Sequence, residues 1–170
     1  MPLTFAISIR PNAPRLDDFP AVLRAAVRRG LERSTELLAR AVQDNIRKPP
    51  GRKSQAVASQ TLLRSIRSEV REENGRPIGR VFPGALLRPY GLYVERGTRP
   101  HWPPVQALEP WVRVKFSLTR PAEIRSAAWR VARKIAREGT EGRFLFQRAA
   151  EANRAQVVSL IEEEIRRALR

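Results

Sequence analysis

The stretch YGLYVERGTRPHWPPVQALEPW, residues 90–111, separates a mixed half of the chain from a helical half. It holds both tyrosines, the single histidine and two of the three tryptophans. Leu92, Tyr93 and Val94 run into Glu95 and then into a Gly97-Thr98 turn, where Gly97 supplies the positive φ that a sharp reversal needs. Prolines at 100, 103, 104 and 110 keep the segment after the turn extended and stiff. Pro104 then stands near N1 of a helix from Val105, with Leu108, Trp111 and Val112 on one side. A stiff aromatic elbow of this kind is a scaffold or contact feature more often than an active site.

Upstream, Leu3, Phe5, Ile7 and Ile9 alternate with Thr4, Ala6, Ser8 and Arg10, which predicts a half-buried strand over 3–10. Asp17 or Asp18 is a fair N-cap, with Pro20 in the first turn, for a helix reaching Arg47. Its apolar positions are Phe19, Val22, Leu23, Ala26, Val27, Leu31, Leu37, Leu38, Ala41, Val42 and Ile46, and its arginines take the other faces. At ~1.5 Å per residue the helix is roughly 40 Å long, a spine for a small sheet. Gly30 costs about 1 kcal/mol relative to alanine and marks a slight bend. Lys48 to Ser54, KPPGRKS, is a loop, since Pro-Pro-Gly neither continues a helix nor enters a sheet centre.

Thr61 to Ile66 reads as a short helical turn into a strand ending near Glu72. Asn74-Gly75 makes a tight hairpin back into a strand at 78–82. Beyond the elbow, Ile124, Ala127, Ala128, Val131, Ala132 and Ile135 form the inner face of a helix ending at Gly139, which fits the left-handed C′ position. Phe144 begins the last helix, with Phe146, Ala149, Ala150, Val157, Val158, Ile161, Ile165 and Leu169 as its apolar positions. The expected fold is α+β, one domain over 1–170: a small antiparallel sheet (3–10, 66–72, 78–82) packed against a long N-terminal helix, with C-terminal helices.

Composition bounds the function. The 33 basic and 17 acidic residues leave +16, with no cysteine. Cysteine chemistry and disulfides are therefore excluded. The charge excess points to a polyanion, nucleic acid first. It is spread evenly: 16 basic against 8 acidic residues in 1–85, and 17 against 9 in 86–170, so no basic tail carries it. Between Asp44 and Ser68 lie Arg47, Lys48, Arg52, Lys53, Arg64 and Arg67 against one acid, so this loop is either a solvated connector or a phosphate-facing surface. No apolar run approaches the ~18 to 20 residues of a membrane span, and Met1-Pro2-Leu3-Thr4 lacks a signal peptide's basic start, so no export by that route is expected.

Catalytic constellations are not found. His101 sits among prolines without a nucleophile in a motif pattern, and is read as structural. Glu72-Glu73 and Glu162-Glu163-Glu164 read as solvated or ion-paired positions rather than metal sites, and no phosphate-binding glycine loop exists. The expectation is no enzyme, no cofactor and no metal. Glu95 is the acid that stands apart, either accepting backbone N–H groups across its turn or pairing with an arginine within or between subunits.

The same stretch carries a resemblance. Tyr90, Tyr93-Val94-Glu95, Gly97-Thr98, Pro103-Pro104 and Leu108 with Trp111 resemble the signature of the minor tail-component family of long-tailed bacteriophages. Two further segments fit in order: Thr61-Leu62-Leu63-Arg64-Ser65-Ile66, similar to a pre-strand motif, and Gly139-Thr140 with Arg143-Phe144-Leu145, similar to the lead-in to the last helix. The likeness spans roughly 17–169, with Gln60 where the family's motif has glycine. It implies a structural virion protein of the head–tail junction, made in the host cytoplasm, that completes the tail and joins it to a DNA-filled head. It further implies a homo-oligomeric ring, six-fold, around a DNA channel, touching head-completion and tail-tube or tail-terminator proteins. On that reading Arg47, Lys48, Arg52 and Lys53 face DNA without reading sequence, and Tyr93, Glu95, Gly97, Thr98 and Trp111 form a turn or intersubunit motif. The rival is a sequence-independent nucleic-acid-binding protein acting as monomer or dimer, although no helix-turn-helix, RNP or zinc-finger pattern accompanies it.

Overall fold

A computed structural model describes residues 5–8, 19–47, 59–85 and 88–170, and in it the long apolar stripe folds into helix α1 (Ala21–Arg47). Ala26, Gly30, Leu31, Ser34, Thr35, Leu38, Val42 and Ile46 are its buried face, at the three- and four-residue steps of one helical side. Pro20 stands just before the helix rather than in its first turn, its carbonyl accepting from the N–H groups of Leu23 and Arg24. The proposed caps Asp17 and Asp18 lie outside the described residues. Phe19 and Val22 were expected in the stripe but are exposed, because burial starts only at Ala26.

A short helix α2 (Ser59–Ser65) leads into strand β2 (Ile66–Glu73), which turns back as β3 (Arg76–Pro83). Asn74 and Gly75 both take positive φ, 55° and 71°, as a two-residue hairpin requires. With β1 (Phe5–Ser8) they form an antiparallel sheet in the order β1-β3-β2. Along β3, Pro77, Gly79, Val81 and Pro83 alternate into the core. Gly79 is needed there: a Cβ would lie 2.6 Å from Thr35 Cγ2 of α1, so glycine lets the sheet sit down on the helix.

After β3 come α3 (Arg88–Arg96) and a two-residue strand β4 (Gly97–Thr98), then α4 (Val105–Lys115), α5 (Pro121–Glu138), the strand β5 (Thr140–Glu141) and α6 (Leu145–Ala168). Pro104 is the residue before α4 rather than its first, and Pro110 lies inside the helix. α6 packs along α1 and closes the main core, formed by Leu38, Val42, Ile46, Leu62, Ile66, Val81, Leu145 and Phe146 among others. Gly30 sits at this crossing. A Cβ there would lie 2.8 Å from Ile161 Cα, so close helix approach, rather than the expected bend, explains the glycine. Ser34 Oγ beside it is buried and donates back to Gly30 O at 2.7 Å.

α4 and α5 pack on each other around a second cluster of Val105, Val112, Ala127, Ala128 and Ala132. The small alanine side chains let the two helices approach closely. Of the expected inner positions of the last helix, Val158 is exposed, Leu169 is exposed just past the end of α6, and Phe144 precedes the helix in the left-handed region, φ 49°. The fold is α+β, with a long N-terminal helix, a small antiparallel sheet and C-terminal helices. No helix among the described residues is long and apolar enough to cross a membrane.

Candidate functional site

Gly97-Thr98, expected as a turn, is instead the strand β4, paired antiparallel with β5 through Gly97↔Glu141 and Thr98↔Thr140. Two distant segments are thereby clasped backbone to backbone. Arg143 N donates to Val94 O at 2.8 Å, Phe144 N to Glu95 O at 3.0 Å, and the hydroxyls of Thr98 and Thr140 lie 3.0 Å apart. Glycine alone permits this approach. A Cβ on Gly97 would lie 2.0 Å from Thr140 O, and one on Gly139 2.1 Å from Thr98 O. Gly139 ends α5 with φ 72° and ψ −154°, outside the left-handed helical well expected of it, in a region only glycine tolerates.

Glu95 locks the clasp. It is 2% exposed, and its Oε2 and Oε1 each accept a backbone N–H, from Phe146 and Gln147 respectively, both at 3.0 Å. Those are orphan donors of the first turn of α6, whose preceding residue Phe144 offers no side-chain cap. A carboxylate at a helix N-terminus meets both the free donors and the positive end of the dipole. The accepted groups lie fifty residues away rather than across Glu95's own turn. With both oxygens so engaged inside the subunit, Glu95 does not reach outward as an intersubunit ion pair.

Among the other residues of the expected motif, Tyr93 is 55% exposed on α3. Trp111 belongs to the α4/α5 cluster, half-buried, with its ring edge-on to Phe116 at 6.1 Å. The motif thus splits: Glu95, Gly97 and Thr98 meet in the clasp, while Tyr93 and Trp111 do not. His101 is exposed, with Nδ1 2.9 Å from Arg99 O. Among the described residues no group of three or more His, Asp or Glu could hold a metal ion.

The basic residues divide into paired and unpaired. Arg47 closes α1, where a cation suits the helix's negative end, and pairs with Asp44 at 3.0 Å. Its proposed companions Lys48, Arg52 and Lys53 lie outside the described residues. Across the α1–α6 crossing, Glu164 is buried and receives Arg29 at 3.0 Å, Arg33 at 2.8 Å and Arg167 at 3.2 Å. Glu163 joins through Arg33 at 3.1 Å and Arg167 at 2.6 Å. The hydrogen bond from Arg29, then that from Arg33, holds the Glu164 carboxyl below its ordinary value against the opposing effect of burial. Arg33 is raised in turn, chiefly by its bond to Glu164. The acidic run read as ion-paired is therefore an interhelical tie.

Beyond its first turn, the exposed positions of α5 are Arg125, Ser126, Trp129, Arg130, Arg133, Lys134, Arg137 and Glu138. The acids at its two ends are engaged, Glu123 by Arg120 at 3.5 Å and Glu138 by Arg137 at 2.6 Å and Lys134 at 3.8 Å. Among the described residues, Arg125, Arg130 and Arg133 have no ion-pair partner. Trp129 stands between them, 44% exposed, with its ring centroid 5.6 Å from that of Trp102, itself 54% exposed, and the planes tilted by 57°. Sequence reading missed this face, although a signal was present: Trp129 falls out of phase with the apolar positions of its helix. A shallow groove of about 230 Å³ beside α1, lined by Arg24, Arg28, Arg71, Glu72 and Pro77, brings no nucleophile and base together. Compared with known proteins, the chain matches no family profile, no curated protein and no solved structure.

Proposed function

We propose that the chain is a structural, non-catalytic protein that assembles as a ring around DNA and joins a phage tail to its DNA-filled head. The observation carrying this reading is the convergence of its motifs. Two of the segments that bear the resemblance, 93–98 and 139–145, lie some forty residues apart yet form one backbone clasp closed by Glu95. Their meeting in one structural unit supports reading the two segments together. Charge supports the same reading. A net charge of +16 suits phosphate contact without base readout. Glu95, Gly97 and Thr98 serve the subunit's own fold in this reading, and Tyr93 is the motif residue left at the surface for a neighbour.

Interrupting the coding region in the genome that carries it tests the proposal. The expected products are DNA-filled heads and complete but separate tails, rejoined when purified protein is added. Intact tailed particles made without the chain would overturn it. Arg125, Arg130 and Arg133, without an ion-pair partner among the described residues, favour a second reading, a sequence-independent nucleic-acid-binding protein working as monomer or dimer.

A further inference from the structure

We propose that the outer face of α5 binds a single strand of nucleic acid, with Arg125, Arg130 and Arg133 on its phosphates and the Trp102–Trp129 pair on a base. The inference does not rest on the ring reading, because it needs only one folded chain. Arg125, Trp129 and Arg133 follow at four-residue steps, so cation, indole and cation succeed each other about every 6 Å along the helix. Arg130 flanks the indole on its other side. The platform is rigid, since Ala127, Ala128 and Ala132 behind it are buried against α4.

Two indoles half in water are not accounted for by the core, and they shield each other only partly at a 57° tilt. The α4/α5 cluster does not need them. Duplex DNA would use the arginines and leave the indoles idle, because its base faces are hidden in the stack. A protein partner would be expected to meet a continuous apolar centre with a polar rim. Here the exposed residues within one turn of Trp129 on α5 are Arg125, Ser126, Arg130 and Arg133. Exposed aromatic faces set among cations suit a strand whose bases are free to stack, and such binding tolerates any sequence.

The test measures binding of the full chain to labelled oligothymidylate and oligouridylate of about 12 nucleotides, a length within known single-strand site sizes. A duplex and poly-glutamate serve as comparisons, across a salt series. Expected is binding to a single strand with quenching of tryptophan fluorescence. Trp129→Ala should weaken it by about tenfold to a hundredfold with the salt slope unchanged. Trp129→Phe should retain most of the affinity. Changing Arg125, Arg130 and Arg133 to Ser should reduce the salt slope by about 2. Both tryptophan variants alter an exposed side chain, and circular dichroism checks that they fold. Duplex bound as tightly as oligothymidylate and indifferent to Trp129→Ala, or poly-glutamate competing equally well, would overturn the proposal. Either result would leave the head–tail reading standing, since that depends on assembly and duplex DNA.

Discussion

At the scale of single residues, Glu95 fastens the end of α3 to the start of α6. Its carboxylate satisfies two helix donors that nothing on α6 itself caps, so Glu95→Gln leaves one backbone N–H facing an amide NH₂. The expected loss is about 2 kcal/mol of unfolding free energy, read from urea denaturation, with Glu95→Ala costing more. A change below about 0.5 kcal/mol would mean that water caps the helix as well. Gly97→Ala should cost more than about 2 kcal/mol, since the added carbon meets a carbonyl oxygen at 2.0 Å and the φ of 75° is strained for any side chain. His101→Ala, by contrast, should leave the same denaturation curve within about 0.5 kcal/mol, as befits an exposed ring with one backbone contact. Glu95 was legible as unusual because a charge follows an apolar run. Its partners were not, because fifty residues separate it from the donors and local sequence carries no such distance.

Among the elements, the α1–α6 crossing bears most of the structure. Gly30→Ala sets two effects against each other: a helix-propensity gain of about 1 kcal/mol and an overpacking cost of about 1–3 kcal/mol. The contact is to the Ile161 backbone, which cannot swing aside, so a net loss of about 1 kcal/mol is expected in thermal or urea unfolding. The Glu164 tie gives this crossing a pH signature. A carboxyl held below its ordinary 4.5 binds fewer protons folded than unfolded in acid. Its contribution is thus full above that value and is lost as pH falls through the lower, folded value. The stability difference between wild type and Glu164→Gln should be constant near neutrality and shrink in acid below about 4.5; a gap that persists unchanged there would contradict the tie. Helices and hairpin were legible because their signals are local, as with Asn74-Gly75 and the apolar steps of α1. Gly30 was misread as a bend because its reason lies on another helix, and Val158 was misplaced because α6 buries a narrower face than its apolar count implies.

For the whole molecule, the claim is that a strongly cationic subunit closes into a ring and meets DNA. Of the four residues first proposed to face it, Arg47 has Asp44 at 3.0 Å, and an exposed pair of this kind does little to bar a phosphate. Changing Arg47, Lys48, Arg52 and Lys53 to Ser should flatten the salt dependence of duplex binding while costing no more than about 1 kcal/mol in unfolding; an unaltered slope would move DNA contact to the helical faces. The central claim is tested most directly by sedimentation velocity of the purified chain across concentration, with and without duplex DNA. A closed species of six times the 19.3 kDa subunit mass, favoured by DNA, is the expected result. Mass that stays at one or two subunits at every concentration, with DNA bound, would contradict the ring and favour the small nucleic-acid-binding protein instead.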